Sequence, residues 1–406
     1  MTRPSRYPAV AAAPFRAGML LHEVHSGRLF HLNGTAARIW PWLRETIEPK
    51  ALVDRLVALH EVDPARARGD VAAFLASLHG AGLKPAPRPR PAGGTATSNV
   101  PARPPALDGV YRVGSGAVNV RCYAPRLALA FEQLAAPARV ADETRAGASL
   151  IVYRERGRLV LVRDGRVIGR FLGAPAARWQ LVRELVASAS RPWLALLHAS
   201  AAATPSGTLL ISGDSGSGKS TLLAGLLHAG MDYVADDILP LEAGTGLVWP
   251  TRLAISVKQS SWPVVAPLFP ELRRSPVTRF GGRIMRYLCP GERAAEAGRG
   301  YPATAILFPR YRPDARTALA RIDAVRALTL LGEGGSVLPS TDAGLAEFID
   351  WLQRVPAYEL PYGLLSEGVR AAGSLLEGPG AGPGGGVAMS RRGRDAPRPA
   401  SALVAG

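Results

Sequence analysis

Residues 213–220 read GDSGSGKS, which sets Gly213, Gly218, Lys219 and Ser220 in the spacing G-x-x-x-x-G-K-[ST]. Glycines at those places let successive backbone N–H groups turn inward on phosphates. The lysine reaches β- and γ-phosphoryl oxygens, and the final hydroxyl takes a position on Mg²⁺. The expected nucleotide-binding set is therefore Gly213, Asp214, Ser215, Gly216, Ser217, Gly218, Lys219, Ser220 and Thr221, with ATP and Mg²⁺ as cofactors. Beyond the loop, VADDI carries Asp236 and Asp237, the first only 16 residues past Ser220 and too soon for the metal-binding strand of most ATPase motors. An aspartate at such a strand end can hold the metal, while its neighbour takes the proton of an attacking hydroxyl. Adjacent residues on a strand end face opposite sides. Ser220 and Asp236 are the candidate metal ligands, and the division of roles between the two aspartates stays open.

These groups need an element on each side of them. Leu209, Leu210 and Ile211 predict a strand running into the loop, and STLLAGLLHAG predicts the helix that leaves it, which is the setting a phosphate loop requires. MDYVADD predicts the strand that ends in the aspartate pair, and WLALLHASAAAT a further stretch that carries His198. Upstream, SLIVYRERGRLVLVRDGRVIGRFLG predicts three short strands broken at Arg156-Gly157 and Asp164-Gly165, followed by a helix over APAARWQLVRELVASAS. Downstream, TRFGGRIMRYLCP predicts a glycine-containing loop whose Arg279, Arg283 and Arg286 could clamp a phosphate or an acidic substrate, or lie solvated on the surface. ATAILFPRY reads as a buried strand, and a closing helix, strand and helix follow without touching the chemistry.

The 406 residues divide by composition. Positions 84–109 and 377–406 are rich in proline and glycine and poor in large apolar side chains, so they read as a linker and a disordered tail. They bound modules at 1–83 and 110–376. The net charge of +17 comes from arginines scattered along the whole chain, which suits a solvated surface or an acidic peptide better than a nucleic-acid groove. Cys122 and Cys289 lie too far apart in sequence for metal-ligand spacing and read as reduced thiols. AVAAAPF is short and proline-broken, a poor secretory segment, and no window is apolar enough to span a membrane. A cytoplasmic protein without nucleic-acid or membrane partners is the expectation.

The first module predicts strands on either side of Ser26-Gly27 and then three helices, the second with Leu52, Leu56 and Leu59 in helical register and the third opened by Asp63 and Pro64. LHEVHSGRLFHLNGTAARIWPWL, with DVAAFLASLHGAGL, resembles the PqqD family of precursor-peptide recognition domains over roughly residues 14–84. The residues that carry the resemblance are Leu32, Asn33, Thr35, Ala36 and Trp40, then Asp70, Phe74, Leu75, Leu78, Gly82 and Leu83. It implies a small α+β, winged-helix-like domain. A leader peptide would add to the strand Arg28 to Leu32 and lie against the helix from Pro64 to His79.

The arrangement LHAS, GDSGSGKST and VADDI resembles the HPr kinase/phosphorylase family, most strongly over residues 194–241. This implies a P-loop α/β domain with a mixed sheet, in which His198 supports the acid/base group while Asp236 and Asp237 supply base and metal-facing roles, beside Lys219. It also allows a homo-oligomer, since related kinases assemble into rings. Thr221 stands where bifunctional members carry an acidic residue, and no phosphorylase signature is evident, so phosphorolysis and HPr itself are not expected. The fused modules together point to a serine/threonine kinase acting on a precursor peptide whose leader is captured by the first module and held near the second by the linker. Two other readings stay open: a small-molecule kinase, for which a peptide reader is unexplained, and a non-catalytic ATP-binding scaffold, for which an acid/base pair is unexplained.

Overall fold

The computed structural model describes residues 7–83 and 100–377, apart from positions 8, 25, 46–47, 61, 81, 115, 142–143 and 189–190. The expected linker lies outside the described residues up to position 99, and the expected tail from position 378.

The first module is an antiparallel sheet of β1 (Val10–Phe15), β2 (Gly18–Glu23) and β3 (Arg28–Leu32), in that order, followed by α1 (Gly34–Arg44), α2 (Pro49–His60) and α3 (Pro64–Gly80). Asn33 caps α1 by accepting the Ala36 N–H at 2.9 Å. Trp40, Leu52, Leu56 and Val71 are buried beneath the helices, and Tyr7 packs against the Trp40 ring at 5.1 Å. AVAAAPF, which reads from sequence only as a poor targeting segment, supplies β1. Its proline is tolerated because the strand lies at a sheet edge.

The second module begins at Leu107, three residues before the expected boundary. A six-stranded sheet comprises β4 (Leu107–Val113), β5 (Gly116–Cys122), β6 (Arg139–Val140), β7 (Ala148–Glu155), β8 (Arg158–Arg163) and β9 (Arg166–Phe171), ordered β6-β4-β5-β7-β8-β9. Helices α4 (Pro125–Ala135) and α5 (Ala174–Ala187) cover one face. Both sequence-marked turns are present, with Arg156-Gly157 and Asp164-Gly165 at positive φ throughout, the conformation a two-residue hairpin requires.

The strands β10 (Trp193–Leu197), β11 (Ala199–Thr204), β12 (Gly207–Ser212), β13 (Asp232–Ala235), β14 (Leu239–Glu242) and β15 (Leu247–Val248) belong to a nine-stranded mixed sheet. Helix α6 (Lys219–His228) joins β12 to β13. A smaller antiparallel sheet of β16 (Ile255–Lys258), β17 (Thr278–Phe280) and β18 (Arg283–Leu288) lies beyond the short α7 (Trp262–Val265). The chain closes with β19 (Tyr301–Tyr311), β20 (Ala320–Ile322), α8 (Ala324–Glu333), α9 (Asp342–Arg354), β21 (Ala357–Tyr362) and α10 (Leu365–Gly373), where β19, β20 and β21 complete the large sheet. β12 pairs parallel with β19, which pairs parallel with β21, while β11 pairs antiparallel with both β12 and β13. As a central strand covered on both faces, β12 buries every residue except the half-buried Gly207. Leu222, Leu223, Leu226 and Leu227 of α6 are buried between that sheet and α10, each worth roughly 2 kcal/mol relative to exposure.

The two modules share a core. Ala11, Ala13, Phe15 and Leu20 pack into the same apolar cluster as Leu345, Phe348 and Ile349 of α9. Asp342 accepts the Ala12 N–H at 2.8 Å and pairs with Arg44 at 2.5 Å, and the buried His22 bonds the Pro339 carbonyl at 2.9 Å. The first module is docked on the second, a closer association than a linker alone would give. Its β1 edge is covered by α9, and among the described residues β3 pairs only with β2.

Candidate functional site

Strand β12 ends at Ser212, and the glycine-rich loop 213–218 turns into α6, whose first residue is Lys219. Gly213, Gly216 and Gly218 have φ of 145°, 100° and 100°. Gly218 is required twice over, since a Cβ there would meet the Tyr362 hydroxyl at 2.4 Å. Lys219 folds over the loop, donating to the carbonyls of Gly213 and Asp214. Burial pulls its ammonium below the ordinary lysine range, against the nearby aspartates.

The stretch WLALLHASAAAT is two strands, and His198 is the residue at the break between β10 and β11. Its backbone N–H is held by the Ser336 hydroxyl at 3.0 Å and its ring packs against Trp179 at 5.5 Å. Strand β13 ends at Ala235, so the two aspartates begin the following turn, with Asp237 at φ 64°. That left-handed residue sends the two carboxylates apart. Asp236 is 1% exposed and turns to α6, accepting from Ser200 at 2.5 Å and from the Ser256 N–H at 3.2 Å, with the Ser220 Oγ 3.3 Å from both its oxygens. Asp237 faces a cavity, its Oδ1 3.7 Å from His198 Nε2.

The carboxylates differ electrostatically. Burial and the neighbouring Asp237 push Asp236 up to about 6. Partial burial works against ionisation of Asp237 too, but the His198 imidazole 3.7 Å away, with Lys219 and Arg178, outweighs it and holds that carboxyl below the usual carboxylate range. Two acids whose environments push their affinities for a proton apart are suited to different tasks. Asp236 and Ser220 form a buried oxygen pair of the kind that holds a Mg²⁺ with few protein ligands, and Asp237 presents its charge to open space.

A cavity of about 520 Å³ collects these groups: Ser215, Lys219, Ser220, Thr221, His198 and Asp237 all line it. Several of its other walls were not read from sequence. Lys258 at the end of β16 bonds Ser215 Oγ at 2.8 Å, and Arg178 of α5 reaches in while bonding the Tyr287 hydroxyl at 2.6 Å. The expected arginine loop is the hairpin β17–β18, turning at Gly281-Gly282. Of its arginines only Arg283 reaches the cavity; Arg286 is engaged with the Leu272 carbonyl and the Trp262 ring, and Arg279 is exposed elsewhere. The closing elements also enter the site: Tyr311, Tyr362, Leu364 and Leu365 line the cavity mouth, which corrects the expectation that they stay clear of the chemistry. Period-two spacing of His198 and Ser200 on an alternating stretch was a usable sign for Ser200; nothing local marks Lys258 or Arg178.

A second, smaller cleft lies between β3, the start of α1 and α3, lined by His31, Asn33, Thr35, Asp70, Ala73 and Phe74. These are the elements the family resemblance implies for a groove. Trp40 is core, whereas Phe74 is half-buried in the groove wall.

Both cysteines are free thiols, Cys122 buried and pushed up to about 11 by that burial, and Cys289 exposed. Among the described residues no helix is long and apolar enough to cross a membrane, and no three His, Cys, Asp or Glu side chains converge on a metal position.

Comparison with known proteins bears on the first module. The family Coenzyme PQQ synthesis protein D (PqqD) matches residues 18–83. Among solved structures the chain is similar to TbiB1 in complex with the TbiA(beta) leader peptide, at 28% identity over 20% of this chain and 94% of that one, with a TM-score of 0.18. It is also similar to lasso peptide synthetase B1 complexed with the leader peptide, at 33% identity over 19% of this chain and 89% of that one, with the same TM-score of 0.18. No curated protein matches the chain. Residues 18–83 form a PqqD domain.

Proposed function

We propose that this protein is an ATP-dependent kinase that phosphorylates a serine or threonine hydroxyl of a ribosomally made precursor peptide, whose leader the PqqD domain captures. The observation that carries the reading is the convergence, on one cavity, of the glycine-rich loop with Lys219 and Ser220 and of the His198–Asp237 pair, with Asp236 buried directly behind Ser220. Phosphoryl transfer asks for that set: a cradle for phosphates, an oxygen pair for the metal and a carboxylate beside the incoming hydroxyl. Loop N–H groups and Lys219 bind the β- and γ-phosphates, and Val264, Tyr311 and Leu364, apolar yet 44%, 49% and 60% exposed at the mouth, give the base a surface to pack on. A Mg²⁺ held by Ser220 and Asp236 would neutralise charge on the phosphoryl oxygens. Asp237, kept ionised by His198, takes the hydroxyl proton, and Arg178, Lys258 and Arg283 set positive charge around the transferred group.

The leader assignment rests on the PqqD domain, on the leader peptides bound in the similar proteins, and on the open β3 edge beside the α3 cleft. The test is mass spectrometry of candidate precursor peptides incubated with the protein, ATP and Mg²⁺, with and without their leaders. A leader-dependent gain of about 80 Da, one phosphoryl group replacing a hydroxyl proton, lost in Asp237→Asn, is the expected result. ATP consumed only with small alcohols would replace this reading by a small-molecule kinase.

A further inference from the structure

A separate cleft of about 340 Å³ opens on the far side of Asp237 from the loop. Arg178, His198, Asp237, Arg283 and Met285 line both spaces, so these five residues form the wall between them. Beyond that wall the cleft changes character: Leu134 and Val182 from α4 and α5, Leu253, and the rings of Trp179 and Phe280 make an apolar chamber. Gly281 stands at its rim with φ 60° and packs against Pro175, since a Cβ there would lie 2.8 Å from the Pro175 ring; the two residues meet at one edge of the cleft.

We propose that this cleft is the acceptor site, and that it takes an extended peptide segment whose hydroxyl residue is flanked by a large apolar side chain. The inference rests on the kinase reading and adds to it the acceptor's chemistry. Among the described residues Asp237 is the one carboxylate that lines the cleft, on the wall shared with the loop cavity and 37% exposed, so a hydroxyl that enters meets the base directly. A volume at the small end of ligand sites admits one or two residues and excludes a folded substrate surface. The apolar chamber, unlike a sugar or nucleoside site, offers few polar partners beyond the dividing wall, so the neighbour that fills it is apolar. In the step, the acceptor oxygen bonds to the γ-phosphorus as its proton passes to Asp237. The bond from that phosphorus to the β,γ-bridging oxygen breaks, and ADP leaves with the electron pair.

The probe is a set of ten-residue peptides with one central serine, its neighbour varied among glycine, aspartate, lysine, leucine and phenylalanine, assayed by mass spectrometry with the full chain, ATP and Mg²⁺. Wild type is expected to favour leucine and phenylalanine over glycine by about 10–200-fold in kcat/KM, the range that filling or emptying an apolar pocket sets. Pro175→Trp at the exposed rim narrows the mouth and lowers kcat/KM for the favoured peptides at least about tenfold on the same scale. Phe280→Ala enlarges the chamber and flattens the preference. A nucleotide titration of each variant checks that the fold is intact. Transfer by wild type with a flanking preference that ignores both substitutions overturns the acceptor assignment and leaves the kinase reading in place. Transfer to no peptide, with or without leader, overturns both.

Discussion

His198 Nε2 stands 3.7 Å from Asp237 Oδ1, while Asp236, the next residue in the chain, turns away to Ser200 and Ser220. Two adjacent carboxylates thereby enter different chemistry, one paired with an imidazole at a cavity wall and one sealed against α6. The positive φ of Asp237 makes the separation, and aspartate is among the side chains that tolerate that conformation.

Asp237→Asn is expected to lower kcat by about 10²–10⁴, the contribution of a positioned base, with nucleotide affinity little changed. His198→Ala removes the imidazole whose interaction at 3.7 Å holds the Asp237 carboxyl low, so that carboxyl rises. Its base form is then lost at a higher pH, and the acidic limb of the pH–kcat/KM profile moves up. An unmoved limb in His198→Ala would show that the histidine only supports the backbone at the β10–β11 break.

Asp236 carries the opposite sign. Its folded-state value of about 6 stands above the ordinary carboxylate value of 3.8, so the folded state binds the proton more tightly than the unfolded one. Without metal, stability is therefore greatest below about pH 4 for this group and falls as pH rises to about 6. The cost above that is on the order of 3 kcal/mol, from about two pKa units at about 1.4 kcal/mol each. Asp236→Asn keeps an oxygen for the Ser200 hydroxyl and has no charge to bury, but its amide replaces the oxygen that accepts the Ser256 N–H, at about 1–3 kcal/mol. Thermal melts of the metal-free proteins should therefore show wild type losing stability relative to the variant as pH rises from about 4 to about 7, while Mg²⁺-dependent transfer is lost in the variant. A stability difference that does not change with pH would show that no buried charge is at stake at this position.

At the PqqD domain, Ala73 is exposed on α3 and lines the cleft beside β3. Ala73→Arg places a long side chain across that groove without touching the core, so folding is expected to be unchanged and leader affinity to fall at least about tenfold, or 1.4 kcal/mol. Calorimetric titration with a leader peptide checks it. Unchanged affinity would move the leader away from this groove.

The sequence carried the loop, the aspartate pair and His198 because each is a local pattern: fixed spacing, a strand end, a polar residue in an apolar run. It carried the hairpins at Arg156-Gly157 and Asp164-Gly165 for the same reason, since a two-residue turn names its own residues. What stayed hidden is non-local. Arg178 and Lys258 reach the cavity only because the six-stranded and three-stranded sheets pack beside the large one, and the spacing within α5 or β16 holds no trace of that. Tyr311 and Tyr362 are brought to the loop by parallel pairing of β19 and β21, a contact between residues far apart in sequence. β1 was obscured because its alanines and proline are weak strand formers and its order comes from pairing with β2 and packing on α9.

The junction between the modules makes the last prediction. Asp342 begins α9 and holds two groups of the PqqD-containing module, the buried Ala12 N–H and the Arg44 guanidinium. Asp342→Ala orphans a buried donor, at about 1–3 kcal/mol. It also removes an ion pair whose partners are 25% and 49% exposed and which contributes at most about 1 kcal/mol. Asp342→Asn retains an acceptor for Ala12 and should lose less than half as much in chemical denaturation. The functional readout separates docking from tethering. If rigid docking presents the captured precursor to Asp237, Asp342→Ala binds leader normally yet loses most of the leader's stimulation of transfer. If stimulation persists in a variant shown to have undocked, for instance by faster proteolysis between the modules, the chain between them suffices to raise the local peptide concentration, and the shared core at β1 and α9 serves stability alone.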